Sequence, residues 1–154
     1  METTYRILKA KPTTLVICCS DPRFQFAFNC FIQNELDLNH GDFVPIIIAG
    51  GPASLAHPAM AKEIRFLNEQ IVFFLKHFPF IKWIFLINHE DCGFYTKIPN
   101  PGGQKKNRER EDLPLAAKAL TERISAEKIL GIKISSFYAK FDNSDKNEII
   151  FEEI

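Results

Sequence analysis

No apolar run in this chain reaches the ~20 residues that a bilayer-spanning helix requires. The longest apolar segment, Ile71 to Leu86, is interrupted by Lys76, His77, Pro79 and Lys82. Net charge is also absent: 19 lysines and arginines offset 19 aspartates and glutamates, so no global field recruits nucleic acid or an anionic membrane. Met1-Glu2-Thr3-Thr4-Tyr5-Arg6 lacks the apolar core of a secretory signal. Internal repeats and low-complexity segments are missing too. These absences predict a soluble, cytoplasmic protein, and the length of 154 residues predicts one domain, 1–154, with a substantial core.

Two residue types stand out against this background. Fifteen phenylalanines imply a Phe-rich interior, a surface covered by a partner, or both, because each ring buries a large area. The four cysteines, Cys18, Cys19, Cys30 and Cys92, point to metal or catalytic use rather than disulfides in a chain without a secretion signal. Cys18 and Cys19 are neighbours, so on a strand they face opposite ways. Cys18 and Cys30 read as small buried hydrophobes.

Apolar runs and breakers predict an alternating β/α order. Thr13–Cys19 reads as a buried strand, Phe24 to Leu38 as helical, Phe43–Ala49 as a second strand, and His57 to His77 as the longest amphipathic helix. Ile81–Ile87 is apolar throughout and reads as a central third strand. Lys97 to Asp112 reads as a polar loop, and its Lys105, Lys106, Arg108 and Arg110 as a solvated face interleaved with Glu109, Glu111 and Asp112. Leu113–Leu130 reads as a helix with Pro114 at its start, Ile132–Phe141 as the fourth strand, and Glu148–Ile154 as an antiparallel edge strand. Pro45 cannot donate to a ladder, which places the second strand at an edge. The fold class expected is α/β: a mostly parallel four-stranded sheet of order 2-1-3-4, an antiparallel fifth edge strand, and helices on both faces.

Open α/β sheets gather ligands at the carboxyl ends of their strands. Two such ends carry chemistry here: Cys19-Ser20-Asp21-Pro22-Arg23 after the first strand and His89-Glu90-Asp91-Cys92-Gly93 after the third. Cys19, His89 and Cys92 together supply two thiols and an imidazole, leaving a fourth position open, which is the build of a catalytic zinc site. Asp21 and Arg23 lie two apart and share a side of an extended segment, where the guanidinium can hold the carboxylate ionised.

Cys-x-Asp-x-Arg followed by His-x-x-Cys-Gly at the end of an apolar strand resembles the β-class carbonic anhydrases. Gly41-Asp42-Phe43-Val44 through Ala49-Gly50 is similar to that family's second strand and turn, and the remaining elements follow its order over essentially the whole chain. The resemblance implies zinc held by Cys19, His89 and Cys92, with Asp21 either completing a closed site as fourth ligand or paired with Arg23 in an open one. It also implies reversible hydration of CO2 to bicarbonate and a homodimer or larger homo-oligomer. A catalytically weak relative serving as a binding or assembly module, and a hydrolase of CS2 or COS, are the alternatives. Cysteine phosphatase chemistry is disfavoured: it needs five residues between Cys and Arg, and the gaps from Cys18 and Cys19 to Arg23 are four and three. The chain departs from the family at Pro22, usually serine. It departs again at Ile47-Ile48-Ala49-Gly50-Gly51, where Arg-Asn-Ala-Gly-Asn is usual, and at Phe94-Tyr95, where a small residue follows the glycine.

Overall fold

The computed structural model describes residues 2–98, 107–145 and 147–154. Its apolar runs form β1 (Thr14–Cys19), β2 (Phe43–Ile48), β3 (Trp83–His89), β4 (Lys133–Phe141) and β5 (Ile149–Glu153). They assemble in the order β2-β1-β3-β4-β5. The first four are mutually parallel, and β5 returns antiparallel along β4. Pro45 lies on β2 opposite Val16, at the sheet edge, where its missing N–H costs no ladder bond.

Alternation along the strands builds two cores. Leu15, Ile17, Ile84 and Leu86 face a cluster supplied by Leu67, Ile71 and Leu75 of α2 (Ala61–His77) and Leu113, Ala116 and Leu120 of α3 (Arg108–Ala126). Val16, Cys18 and Ile87 face the opposite cluster, supplied by Phe24, Phe28 and Ile32 at and within α1 (Gln25–Asn34) and by Phe137 and Ala139 of β4. Helices thus cover both faces, as the runs of apolar residues on β1 and β3 require of strands buried on both sides. Among the described residues, no helix is long and apolar enough to cross a membrane.

The phenylalanines divide between interior and surface. Phe24 and Phe28 are fully buried, whereas Phe26, Phe66, Phe73 and Phe80 are exposed. Cys18 is buried as expected, but Cys30 is only partly so.

Several boundaries differ from the sequence expectation: β3 runs two residues later than Ile81–Ile87, and α3 ends at Ala126 rather than Leu130. The helix α1 stops at Asn34 and α2 starts at Ala61, each shorter than its apolar pattern. Residues Ala53–Ala56 form a 3₁₀ turn instead, and Gly93–Lys97 another. The largest difference is α3, which begins at Arg108 inside the stretch read as loop, so Pro114 lies within the helix. That first turn has no apolar periodicity, but its Glu109 and Glu111 complement the positive end of the helix dipole. Arg110 also donates to Glu152 of β5 at 2.6 Å. Lys105 and Lys106 lie outside the described residues.

Candidate metal centre

The parallel register delivers β1 and β3 side by side, with Cys18 opposite Ile87, so Cys19 and His89 end neighbouring strands on the same edge of the sheet. A tight turn through Asp91, whose φ is 56°, brings Cys92 back toward them. The ligand atoms of Cys19, His89 and Cys92 all lie within 4.8 Å of one another, and all three residues are buried. The two sulfurs are 3.8 Å apart. Two thiolates bound at 2.3 Å around a tetrahedral ion stand about 3.8 Å from each other, so the spacing suits zinc.

The imidazole is oriented for the same purpose. Its Nδ1–H donates to the Glu90 carbonyl at 2.8 Å, which leaves the lone pair on Nε2. That atom is buried and has no hydrogen-bond partner, an expensive state for a polar nitrogen that a bound cation would relieve. The ring rests on Phe24, centroids 4.0 Å apart, with Phe28 at 6.2 Å. Part of the Phe-rich interior is therefore the wall behind this imidazole. A backbone carbonyl on Nδ1 and an apolar support are the outer-shell arrangement that metal-binding histidines use.

The thiols carry charge unequally. Cys19 is held far below the ordinary thiol value, at about 4, because the Cys92 S–H donates to it. The Gly50 N–H, 3.3 Å from Cys19 Sγ, adds to that stabilisation against the opposing cost of burial. Cys92 moves upward, since its proton is the one shared with Cys19 and its surroundings are buried. Cys18, one residue away, is pushed up to about 12 by burial and by the Cys19 charge. Thiolate is the form that binds metal, and the contacts around Cys19 favour it there.

Asp21 and Arg23 stand beside this centre as a pair. Arg23 donates from Nη2 to Asp21 Oδ2 at 2.8 Å, from Nε to both carboxylate oxygens, and from its backbone N–H to Oδ1 at 3.0 Å. This bonding holds the Asp21 carboxyl below the usual carboxylate range. The far side of the guanidinium reaches the other ligand loop, donating to the Asp91 carboxylate at 3.0 Å and to the Asp91 carbonyl at 2.9 Å. Asp21 is not one of the residues whose donor atoms cluster for a metal. The sequence motifs did not single out Asp91, although an acid between the histidine and the second cysteine is visible there.

An open cleft of about 350 Å³ lies over the centre, lined by Cys19, Asp21, Pro22, Gly50, Cys92, Phe94 and Lys97 among others. Phe94 seals one wall. A Cβ built on Gly50 would meet its ring at 2.2 Å, so the ring lies flush on the glycine backbone. Gly51 is equally constrained: its φ is 52° and a Cβ there would approach the Cys19 backbone nitrogen at 2.9 Å. Of Ile47-Ile48-Ala49-Gly50-Gly51, only Ala49 and Gly50 line the cleft, and the stretch carries no side-chain hydrogen-bonding group.

An α/β sheet with a thiol and imidazole cluster at its carboxyl edge defines a class of protein with a candidate metal centre. No protein-family model matches this sequence, and no curated protein does. Solved structures do. The β-carbonic anhydrase isoform I of Trichomonas vaginalis is 14% identical over 97% of this chain and 87% of its own, with a TM-score of 0.51. The carbonic anhydrase of Streptococcus mutans is 19% identical over 99% and 87%, TM-score 0.49. The β-carbonic anhydrase CafA of Aspergillus fumigatus is 19% identical over 94% and 76%, TM-score 0.49. The chain has the β-carbonic anhydrase fold, in a form divergent in sequence.

Proposed function

We propose that this protein binds one zinc ion through Cys19, His89 and Cys92 and catalyses the reversible hydration of CO2 to bicarbonate. The observation that carries this reading is the buried, unpartnered Nε2 of His89 facing two thiols at tetrahedral spacing, beside a carboxylate committed to an arginine. Zinc held there supplies Lewis acidity that brings the pKa of water down to about 7. The remaining work falls to the chain. Arg23 keeps Asp21 ionised and turned toward the guanidinium, which favours an open fourth position over a closed one. Asp21, one of the residues lining the cleft, accepts a hydrogen bond from the attacking water in this reading and fixes its direction. Phe94, Ala49 and Pro22 give an apolar approach suited to a small uncharged substrate, and Lys97 at the mouth offers a cation to the anionic product.

A second reading has its own support. The wall formed by Phe94 on Gly50, together with the loss of polar side chains from Ile47 to Gly51, suits a zinc protein with little turnover that serves as a binding or assembly module. Hydrolysis of CS2 or COS would use the same centre. Metal analysis and stopped-flow CO2 hydration on one sample separate these readings. About one zinc per chain and a rate that rises with pH around neutrality are expected for the first. Full zinc without CO2 hydration would select the second unless the same sample turns over CS2 or COS, and no zinc would sink all three.

Homodimerisation belongs to the same proposal. Phe26 is 81% exposed and Phe66, Phe73 and Phe80 are 55%, 55% and 61% exposed, and large apolar rings on a surface suit coverage by a second copy. Sedimentation should show a species of at least twice the chain mass at micromolar concentration; a monomer alone would overturn this part.

A further inference from the structure

Asn88 precedes His89 on β3 and therefore points to the opposite face of the sheet. It is fully buried, and its amide makes three bonds. Its carbonyl oxygen accepts the His89 backbone N–H at 3.0 Å. Its NH2 donates to the Tyr95 hydroxyl at 2.7 Å and to the Glu109 carbonyl in the first turn of α3 at 2.9 Å. One side chain thus ties the end of β3, the turn after Cys92, and α3 together on the face away from the metal ligands.

Tyr95 is fixed in its turn. Its ring meets His57 edge-on at 6.3 Å between centroids. His57 Nε2 is bonded to the Asp112 carboxylate at 2.5 Å, and Asp112 of α3 is itself buried. Burial and this carboxylate together raise the Tyr95 phenol, so the hydroxyl stays neutral and available to Asn88. The turn carrying both His89 and Cys92 is bracketed by Asn88 and Tyr95, four positions before and three positions after Cys92. Buried polar networks with every member bonded hold one geometry.

We propose that Asn88 and Tyr95 are positioning residues of the metal centre: by clamping the His89-to-Cys92 turn from behind, they hold Nε2 and the Cys92 sulfur at the spacing that sets metal affinity. The proposal rests on the reading of Cys19, His89 and Cys92 as ligands. Outer-shell partners of metal ligands are typically worth about 10- to 100-fold in affinity, and that is the loss expected from Tyr95→Phe or Asn88→Ala. Because Tyr95 acts through its bond to Asn88, the double variant should lose little more than Asn88→Ala alone.

The test is competition for zinc against a chromogenic chelator, with thermal unfolding of the zinc-loaded and zinc-free forms of each variant. Tyr95→Phe keeps the ring and removes one hydroxyl, so it remains informative if Asn88→Ala does not fold. Positioning predicts that the stability added by zinc shrinks in the variants while the zinc-free form changes less. A purely structural role predicts equal losses in both forms and unchanged zinc affinity, and would overturn the proposal. Wild-type protein that binds no zinc overturns the ligand reading and this proposal together. Wild type and variants that bind zinc equally overturn the proposal alone.

Discussion

The ends of β1 and β3 and the end of β2 meet at the same cleft and are built on opposite plans. The first two end in side chains: a thiolate, an imidazole, a second thiol and an aspartate–arginine pair, each held by at least one further contact. The end of β2 finishes in glycine backbone, with a phenylalanine laid on it. Metal chemistry needs donor atoms within a few tenths of an ångström of their places, so that side is specified by named residues. Substrate approach needs shape and a dielectric environment, which backbone and apolar rings can supply. The comparison teaches that one cleft can be fixed by specific side chains on one side and by backbone and an apolar ring on the other.

Removing a ligand attacks the specified side most directly and has the largest expected effect. Cys92→Ser should abolish stoichiometric zinc and reduce CO2 hydration to the uncatalysed background, measured by metal analysis and stopped flow. Retention of one tightly bound zinc would remove Cys92 from the ligand set.

Next in size is Arg23→Ala, which leaves Cys19, His89 and Cys92 in place but frees Asp21. A positioned acid–base group contributes about 100-fold or more, and a rate loss of that order with zinc content unchanged is expected. Equal hydration rates for the wild type and the variant would show that the pair has no part in turnover.

The β2 side is probed by Gly50→Ala. At φ 79° with Phe94 2.2 Å from the new Cβ, the variant should lose about 2 kcal/mol or more from backbone strain and ring displacement. Urea unfolding measures the loss, and Phe94→Ala in the same chain should restore part of it. A fully additive double variant would mean that the ring and the glycine are not coupled.

The smallest effect lies away from the cleft. Glu152 is held below its ordinary carboxylate value by Arg110, across the contact between α3 and β5. A carboxylate depressed on folding stabilises above its unfolded value, near 4.5, and that contribution is lost as pH falls from there through the folded value. Thermal melts of wild type and Glu152→Gln should therefore differ slightly at neutral pH and converge in acid, as expected for an exposed pair. A difference that grows on acidification would reverse the sign of this argument.

Much of the fold and the candidate site was legible in the sequence because local chemistry dictates it. β-branched apolar runs make buried parallel strands, Pro45 forces β2 to an edge, and two short segments at strand ends carry the donor atoms that zinc takes. What stayed hidden depends on contacts distant in sequence. The charged first turn of α3 has no apolar pattern of its own; its Arg110 pairs with Glu152, 42 positions away, and its Glu109 carbonyl takes the Asn88 amide. Asn88 itself looks like an ordinary strand residue until Tyr95 and α3 are folded against it. The choice between holding Asp21 on Arg23 and releasing it also needs the partner loop, since Arg23 is bonded on its far side to Asp91, 68 positions on. The sequence by itself determined which atoms are available and which strand ends present them. Only the tertiary structure decided their spacing, their protonation and their partners, because burial and hydrogen bonding act between side chains that the chain brings together from separate elements.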